Sequence, residues 1–224
     1  MLKNFARIPS AWIRQRGLAD FGLSDVPSLK TLFGLAILRG KYERTHEQAV
    51  TWFPASLTEL SDAAHLSRND ALDGLRGLLG RRIMERRHSA GAVVGAHPRT
   101  SAFQFAGAPR PYIPFPHFHV ERSEFLAGLR RDQASLAALK TYLLLCTFRS
   151  GETKTAALGY NKLEFYGVRR TYIRHGLSLL YSYGLVLRVA PTADRLDPRY
   201  VIQGLERPEA EAADAPAAAE AASS

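Results

Sequence analysis

The sequence predicts an α+β protein, mainly helical with small β-hairpins, built from two tandem units that arose by internal duplication. Three observations lead to that reading. Ser28–Arg39 lies over Ala138–Arg149 at a constant offset of 110, and Arg68–Leu72 lies over Arg169–Ile173 at an offset of 101, the mark of a repeated supersecondary unit. Four prolines fall within Pro109–Pro116, a density that prevents helix and favours a stiff, extended connector. In each half, a helix with one apolar face is followed by two short runs of strand patterning around a loop.

Residues 1–27 form a lead-in, in which Lys3–Trp12 faintly matches Phe118–Phe125 of the second half. The first unit spans 28–108. It opens with a helix that is apolar on most of its circumference and ends before Gly40. Leu57–Ala64 can start a short helix with Ser56 or Thr58 as N-cap. His65-Leu66-Ser67 is a tight turn, and Arg68–Leu79 is a second helix with Ala71, Leu72, Leu75, Leu78 and Leu79 on one face. Two short helices joined by about three residues are the helix-turn-helix pattern. Ile83–Arg86 and Ala102–Phe105 can then pair as a hairpin, with Ser89–Gly91 and Gly95–Arg99 as its loop. Residues 109–117 form the Pro-rich linker, and its proteolysis is expected to leave two pieces that fold alone.

The second unit spans 118–205 and repeats this course. Ala156–Leu158 reads as a short strand, Asn161–Tyr166 as a short helix, Gly167-Val168 as the turn and Arg169–Tyr181 as the second helix. Gly184 closes that helix, and Leu185–Val189 with Tyr200–Ile202 makes a hairpin around Pro191–Pro198. Leu163–Val168, Arg169–Leu180 and Tyr183-Gly184-Leu185-Val186 together resemble the winged-helix family, with a turn one residue shorter than is usual there. With both copies the resemblance covers most of residues 28–205 and implies tandem winged helix-turn-helix units that bind DNA. The tail 206–224 holds nine alanines and is expected to be disordered, because it has nothing to bury.

Charge is uneven along the chain. The whole chain carries +9, but the tail has five acids and one base, so residues 1–205 carry +13, with 23 arginines among them. Such a body attracts a polyanion. A genome rich in G and C would also raise arginine at the expense of lysine, so charge alone does not decide. Cys146 lies in an apolar run and is read as a buried thiol, which suits a reducing cytoplasm. No signal peptide is read at the N-terminus, and no window reaches the ~18 uninterrupted apolar residues of a membrane helix. The expected location is cytoplasmic and nucleoid-associated.

Chemical signals of an enzyme are missing from the sequence. No phosphate-binding Gly-rich loop followed by Lys-Ser or Lys-Thr occurs, and Gly74–Gly80 sits on a helix. His117 and His119 read as a surface pair without further metal ligands at a standard spacing. No nucleophile elbow and no two-metal carboxylate cluster is found. No cofactor and no metal are expected.

What the resemblance implies for contact is specific. In a winged helix the N-terminal part of the second helix enters the major groove, and the hairpin touches phosphate or the minor groove. In the second unit this gives Arg169, Arg170, Thr171, Arg174, His175 and Ser178 on the helix, with Arg188, Arg195 and Arg199 on the hairpin, diluted by Asp194 and Asp197. In the first unit it gives Arg68, Asn69 and Arg76, with Asp70 and Asp73 opposing phosphate, and Arg86, Arg87, His88 and Arg99 on the hairpin. The partner expected is double-stranded DNA, with a second copy of the chain or the transcription or replication machinery beside it. A sequence-specific transcription regulator is placed first. A replication initiator of a plasmid or integrative mobile element is the alternative, and a winged-helix scaffold that binds protein comes third.

Overall fold

The computed structural model describes residues 5–47, 49–88, 100–106, 111–151, 155–189 and 198–205. The chain enters as strand β1 (Ala6–Pro9) and helix α1 (Ala11–Arg14), then makes two 3₁₀ turns at Gly17–Asp20 and Leu23–Asp25. Helix α2 (Val26–Thr45) follows, with Pro27 in its first turn, where the missing N–H costs nothing. Leu29, Leu32, Phe33, Leu35, Ala36 and Ile37 are all buried, so α2 is wrapped by neighbours on nearly every side.

Strand β2 (Phe53–Ala55) leads into α3 (Leu57–Ala64). The Ser56 hydroxyl accepts from the Glu59 N–H at 3.1 Å, and the Glu59 carboxylate accepts from the Ser56 N–H at 2.7 Å, a reciprocal cap. Helix α4 (Arg68–Gly80) is capped by the Ser67 hydroxyl, and strands β3 (Met84–His88) and β4 (Ser101–Phe105) pair antiparallel behind it. The resulting sheet has the order β2-β4-β3.

The second half begins at β5 (Tyr112–Phe115), α5 (His117–Arg122) and α6 (Phe125–Gly128). Helix α7 (Gln133–Thr147) starts where the Asp132 carboxylate accepts from the Ser135 N–H at 2.7 Å. Then come β6 (Thr155–Ala157), α8 (Tyr160–Phe165), α9 (Arg170–Ser182), β7 (Val186–Val189) and β8 (Arg199–Ile202), in a sheet of order β6-β8-β7. The same succession therefore runs twice: long helix, strand, short helix, thirteen-residue helix, hairpin. The protein is α+β, with small antiparallel sheets.

The geometry corrects the spacing read for the second turn. Buried residues of α4 and α9 coincide at an offset of 102, not 101: Ala71 with Ile173, Gly74 with Gly176, Leu75 with Leu177, Leu78 with Leu180. Arg169 is extended (ψ 121°) and stands before the helix as its N-cap. Gly167-Val168-Arg169 thus matches His65-Leu66-Ser67 in length. Both turns close in the same way. Val168 N–H donates to Leu163 O at 3.0 Å with Gly167 at φ +90°, and Leu66 N–H donates to Ser61 O at 3.0 Å with His65 at φ +48°.

The described part of the Pro-rich segment is extended, as read, and it is also paired. Tyr112–Phe115 is a paired strand, antiparallel to β1, with Ile8 opposite Ile113 and both wholly buried. Around this ladder the lead-ins are exchanged. Helix α1 of the first half packs on α7, where Arg14 donates to Thr147 O at 3.0 Å. Helix α5 of the second half packs on α2, where Lys41 pairs with Glu121 and Arg44 stacks over Phe118. Phe33 of α2, Phe115 of β5 and Tyr142 of α7 meet ring to ring, Phe33–Phe115 edge-on at 5.0 Å. One apolar core runs through both halves. Pieces cut at 109–116 would each lose part of it, against the expectation of two that fold alone. Residues 89–99, the loop part 190–197 and the tail 206–224 lie outside the described residues. Among those described, no helix is long and apolar enough to cross a membrane.

His117 is another correction, since it is 1% exposed instead of lying on the surface. Gly40 leaves room for its ring, and a Cβ at residue 40 would fall 2.4 Å from it. Burial, with help from Arg44 and Lys41 and against Glu121, pushes its pKa down to about 4. The unfolded chain then takes up a proton near pH 6.5 that the folded chain refuses until about pH 4. Stability should therefore fall as pH drops through that interval, and a His117→Gln chain should show a flatter fall in melting temperature.

Gly176 sits where α9 crosses α7, and a Cβ there would fall 2.8 Å from the Ala137 carbonyl carbon and the Ala138 nitrogen. Backbone cannot move aside, so Gly176→Ala should cost about 1–3 kcal/mol in denaturant unfolding. Gly80, with nothing within 4 Å, is the opposite case. There Gly→Ala should leave stability unchanged or raise it by up to ~1 kcal/mol.

Candidate nucleic-acid interface

Helix α9 is laid against α7 by Ile173, Gly176, Leu177 and Leu180, all buried. That fixes what faces outward. Arg170, Thr171, Arg174, His175 and Ser178 are all exposed on the helix, and Arg169 is exposed just ahead of it. The six side chains named for this unit's helix therefore fall on one solvent face.

They differ in availability. Arg170 is held back against α8, its Nη1 donating to Asn161 Oδ1 at 2.8 Å and to Glu164 Oε2 at 3.0 Å. Arg169 lies with its guanidinium 5.8 Å from the Tyr172 ring. Among the described residues, no ion pair involves Arg174. Arg174, Ser178 and Tyr181 of α9 line a groove of about 470 Å³ together with Tyr160, Arg188 of β7 and Tyr200. Arg188 is exposed and Arg199 half-buried, while Asp194, Arg195 and Asp197 lie outside the described residues.

The first half presents the same positions with different chemistry. Arg68 and Asn69 are exposed at the start of α4. Arg76 is paired with Asp73 at 2.9 Å, and Asp70 accepts from the Ser67 hydroxyl at 2.7 Å. Two arginines and two carboxylates on one face leave it close to neutral. At the offset of 102, Leu72 stands where the second half has Arg174. On the hairpin, Arg86 donates to Ser101 Oγ at 3.0 Å and Arg87 lies 4.4 Å from the Trp52 ring. Both are exposed. Arg86 faces Phe103 across its hairpin as Arg188 faces Tyr200 across the other, so these two arginines occupy equivalent places. Arg99 and the His88 side chain lie outside the described residues.

Some of the surface was not visible from sequence. Arg16 of the lead-in donates to Phe165 O at 3.0 Å and covers the Phe165 ring at 4.5 Å, adding a cation beside α8. Nothing local marks it, because its partner is 149 residues away. Tyr181 sits seven residues beyond Arg174, two turns on, a spacing that could have flagged it. Gly74 and Gly77 pack against Pro27, Thr31 and Ser28 of α2, a role in helix crossing. No group of three or more His, Cys, Asp or Glu that could hold a metal ion occurs among the described residues.

Compared with known proteins, the chain matches no family model, and no curated protein is similar to it in sequence.

Proposed function

We propose that this protein binds double-stranded DNA through two winged helix-turn-helix units that arose by duplication, with the second unit carrying the main reading surface. The observation that carries this is the outward face of α9. It gathers Arg169, Arg170, Thr171, Arg174, His175 and Ser178 beside Arg188 of the adjoining hairpin. A helix with donors along one face fits the major groove, and a cationic hairpin beside it fits the flanking phosphates. The repeated order of elements, the common offset of 102 and the matching turn closures support duplication. The near-neutral face of α4 suits a positioning role, with Arg86 and Arg87 on backbone phosphate. In the cell this reading makes the protein a transcription regulator. Maintenance of a plasmid that carries the selected site would instead make it a replication initiator.

The test is selection from a randomised duplex pool, followed by binding of the selected and a scrambled duplex across salt concentrations. Each phosphate neutralised contributes a slope of about −0.9 in log K against log salt. A steep slope is expected, and one near zero would remove duplex DNA as the partner in favour of protein.

Arg174→Ala should cost ~1–3 kcal/mol on the selected duplex and relax preference at one base position. Arg170→Ala should cost less, since that guanidinium already donates to Glu164 and Asn161. If Arg174→Ala keeps full affinity and preference, the reading surface lies elsewhere, and the Asn69 face becomes the candidate. Arg87→Ala should weaken all duplexes alike and lower the salt slope by about one.

A further inference from the structure

Lys30 and Lys140 stand 110 residues apart, at the same place in the two long helices, and are only 4% and 3% exposed. An ammonium in such surroundings is costly, and an apolar residue of similar length would be cheaper. Each ammonium has the same kind of partner. Lys30 Nζ donates to His65 O at 2.9 Å, and Lys140 Nζ donates to Gly167 O at 2.7 Å. His65 and Gly167 are the left-handed residues of the turns that launch α4 and α9.

The lead-in of the opposite half reaches the same two places. Lys30 Nζ also approaches Leu129 O at 3.4 Å, at the end of the second half's lead-in. At Gly167, a Cβ would fall 2.4 Å from Ala19 Cα of the first half's lead-in. A cavity of about 220 Å³ lies at that seam, lined by Phe21, Leu23, Lys140 and Arg169 among others. The turn ahead of α9 is thus held from inside by an ammonium and from outside by backbone of the other half.

We propose that Lys30 and Lys140 are positioning residues for α4 and α9, each anchoring the carbonyl of the turn that aims its helix, and that Lys140 thereby aims the reading helix α9. The proposal rests on the DNA-binding reading above for what the helices read, but not for the anchoring itself. A charge-assisted bond to a carbonyl is short and directional, whereas an apolar residue in its place would hold the turn by packing alone. Aim matters for base edges, which accept only well-placed donors, and much less for phosphates. Loss of an anchor should therefore remove discrimination between sequences while general affinity stays.

The charges facing Lys140 are Asp20 and Asp25 from the lead-in, which favour its protonated form, and Arg169 from the turn. Asp25 is itself paired with Arg81 at 2.9 Å. Burial outweighs the two carboxylates and brings Lys140 down to about 8. Lys30, with Asp70 facing it, is also lowered by burial.

The experiment uses the full chain carrying Lys140→Met, which keeps the length of the side chain and removes the ammonium. Three results are expected. The melting temperature at pH 7 is equal to or above that of the parent. Affinity for a scrambled duplex stays within about twofold, while preference for the duplex selected by the parent falls at least tenfold. Amide hydrogen exchange at Gly167, Val168 and Tyr172, whose N–H groups close the turn and start α9, accelerates without a global rise. An unchanged preference together with unchanged exchange at these amides overturns the proposal. The parent alone supplies a second arm if the variant fails to fold. Its preference should decline as pH rises and Lys140 loses its proton, near pH 8, and a profile that stays flat up to pH 10 overturns the proposal equally. If the parent selects no duplex sequence at all, the DNA-binding reading fails on its own account. Local exchange in the variant, or the parent's exchange protection at Gly167 and Val168 across pH 8 after correction for intrinsic rates, then decides the anchor.

Discussion

Everything in this molecule is arranged around the short ladder between Ala6–Pro9 and Tyr112–Phe115. Four pairs are few, and an isolated two-stranded ribbon of that length is not stable in water. Here Ile8 and Ile113 face each other wholly buried, and Phe115 meets Phe33 of α2 in a T-shaped pair. The ladder brings the two lead-ins together antiparallel, so each continues away from its own half and lands on the other. Arg14 on Thr147 and Lys41 on Glu121 are the two ends of that reciprocal exchange. The single core and the pressure of Ala19 on the turn at Gly167 follow from it.

On this common frame, the two halves carry unlike surfaces. The buried positions of α4 and α9 coincide, glycine for glycine at 74 and 176, because both must cross a long helix at close range. The outward positions are free of that constraint and differ in charge. On α4 the Arg76–Asp73 pair cancels itself, whereas on α9 only Arg170 meets a carboxylate. Exposed pairs of this kind contribute little stability. Their effect is on the sign of the surface that a polyanion would meet.

Much of this was legible in the sequence, and the remainder has identifiable causes. The Ser56–Glu59 cap, the apolar spacing of Ile173, Leu177 and Leu180, and the arginines opposite that stripe are local signals, and they place α3 and the outward face of α9. The offset slipped by one because Arg169 and Arg170 are identical neighbours, and only the closure at Gly167 shows which of them starts the helix. The β1–β5 ladder was hidden because prolines in a strand argue against pairing unless it lies at an edge, and its partner is more than a hundred residues away. His117 reads as a surface residue beside prolines until Gly40 is seen to open a place for it. Lys30 and Lys140 were visible only as part of a repeat, since the carbonyls they hold lie 35 and 27 residues downstream.

The exchange of lead-ins also governs the order in which the chain can assemble. Strand β1 leaves the ribosome well before its partner β5, since Phe115 emerges more than a hundred residues after Ala6, and the acceptor of Arg14, Thr147, comes later still. Contacts of such long sequence separation are slow to form, because loop closure must precede their reward. During synthesis the first half can build α2, α3, α4 and its hairpin, and β1 can lie on α2, but β1 lacks its partner strand and α1 lacks α7. The apolar faces of α2 that await Phe115 and Val120 are open for the same interval. The nascent first half therefore keeps apolar surface open to water, and the core is complete only when the second half is present.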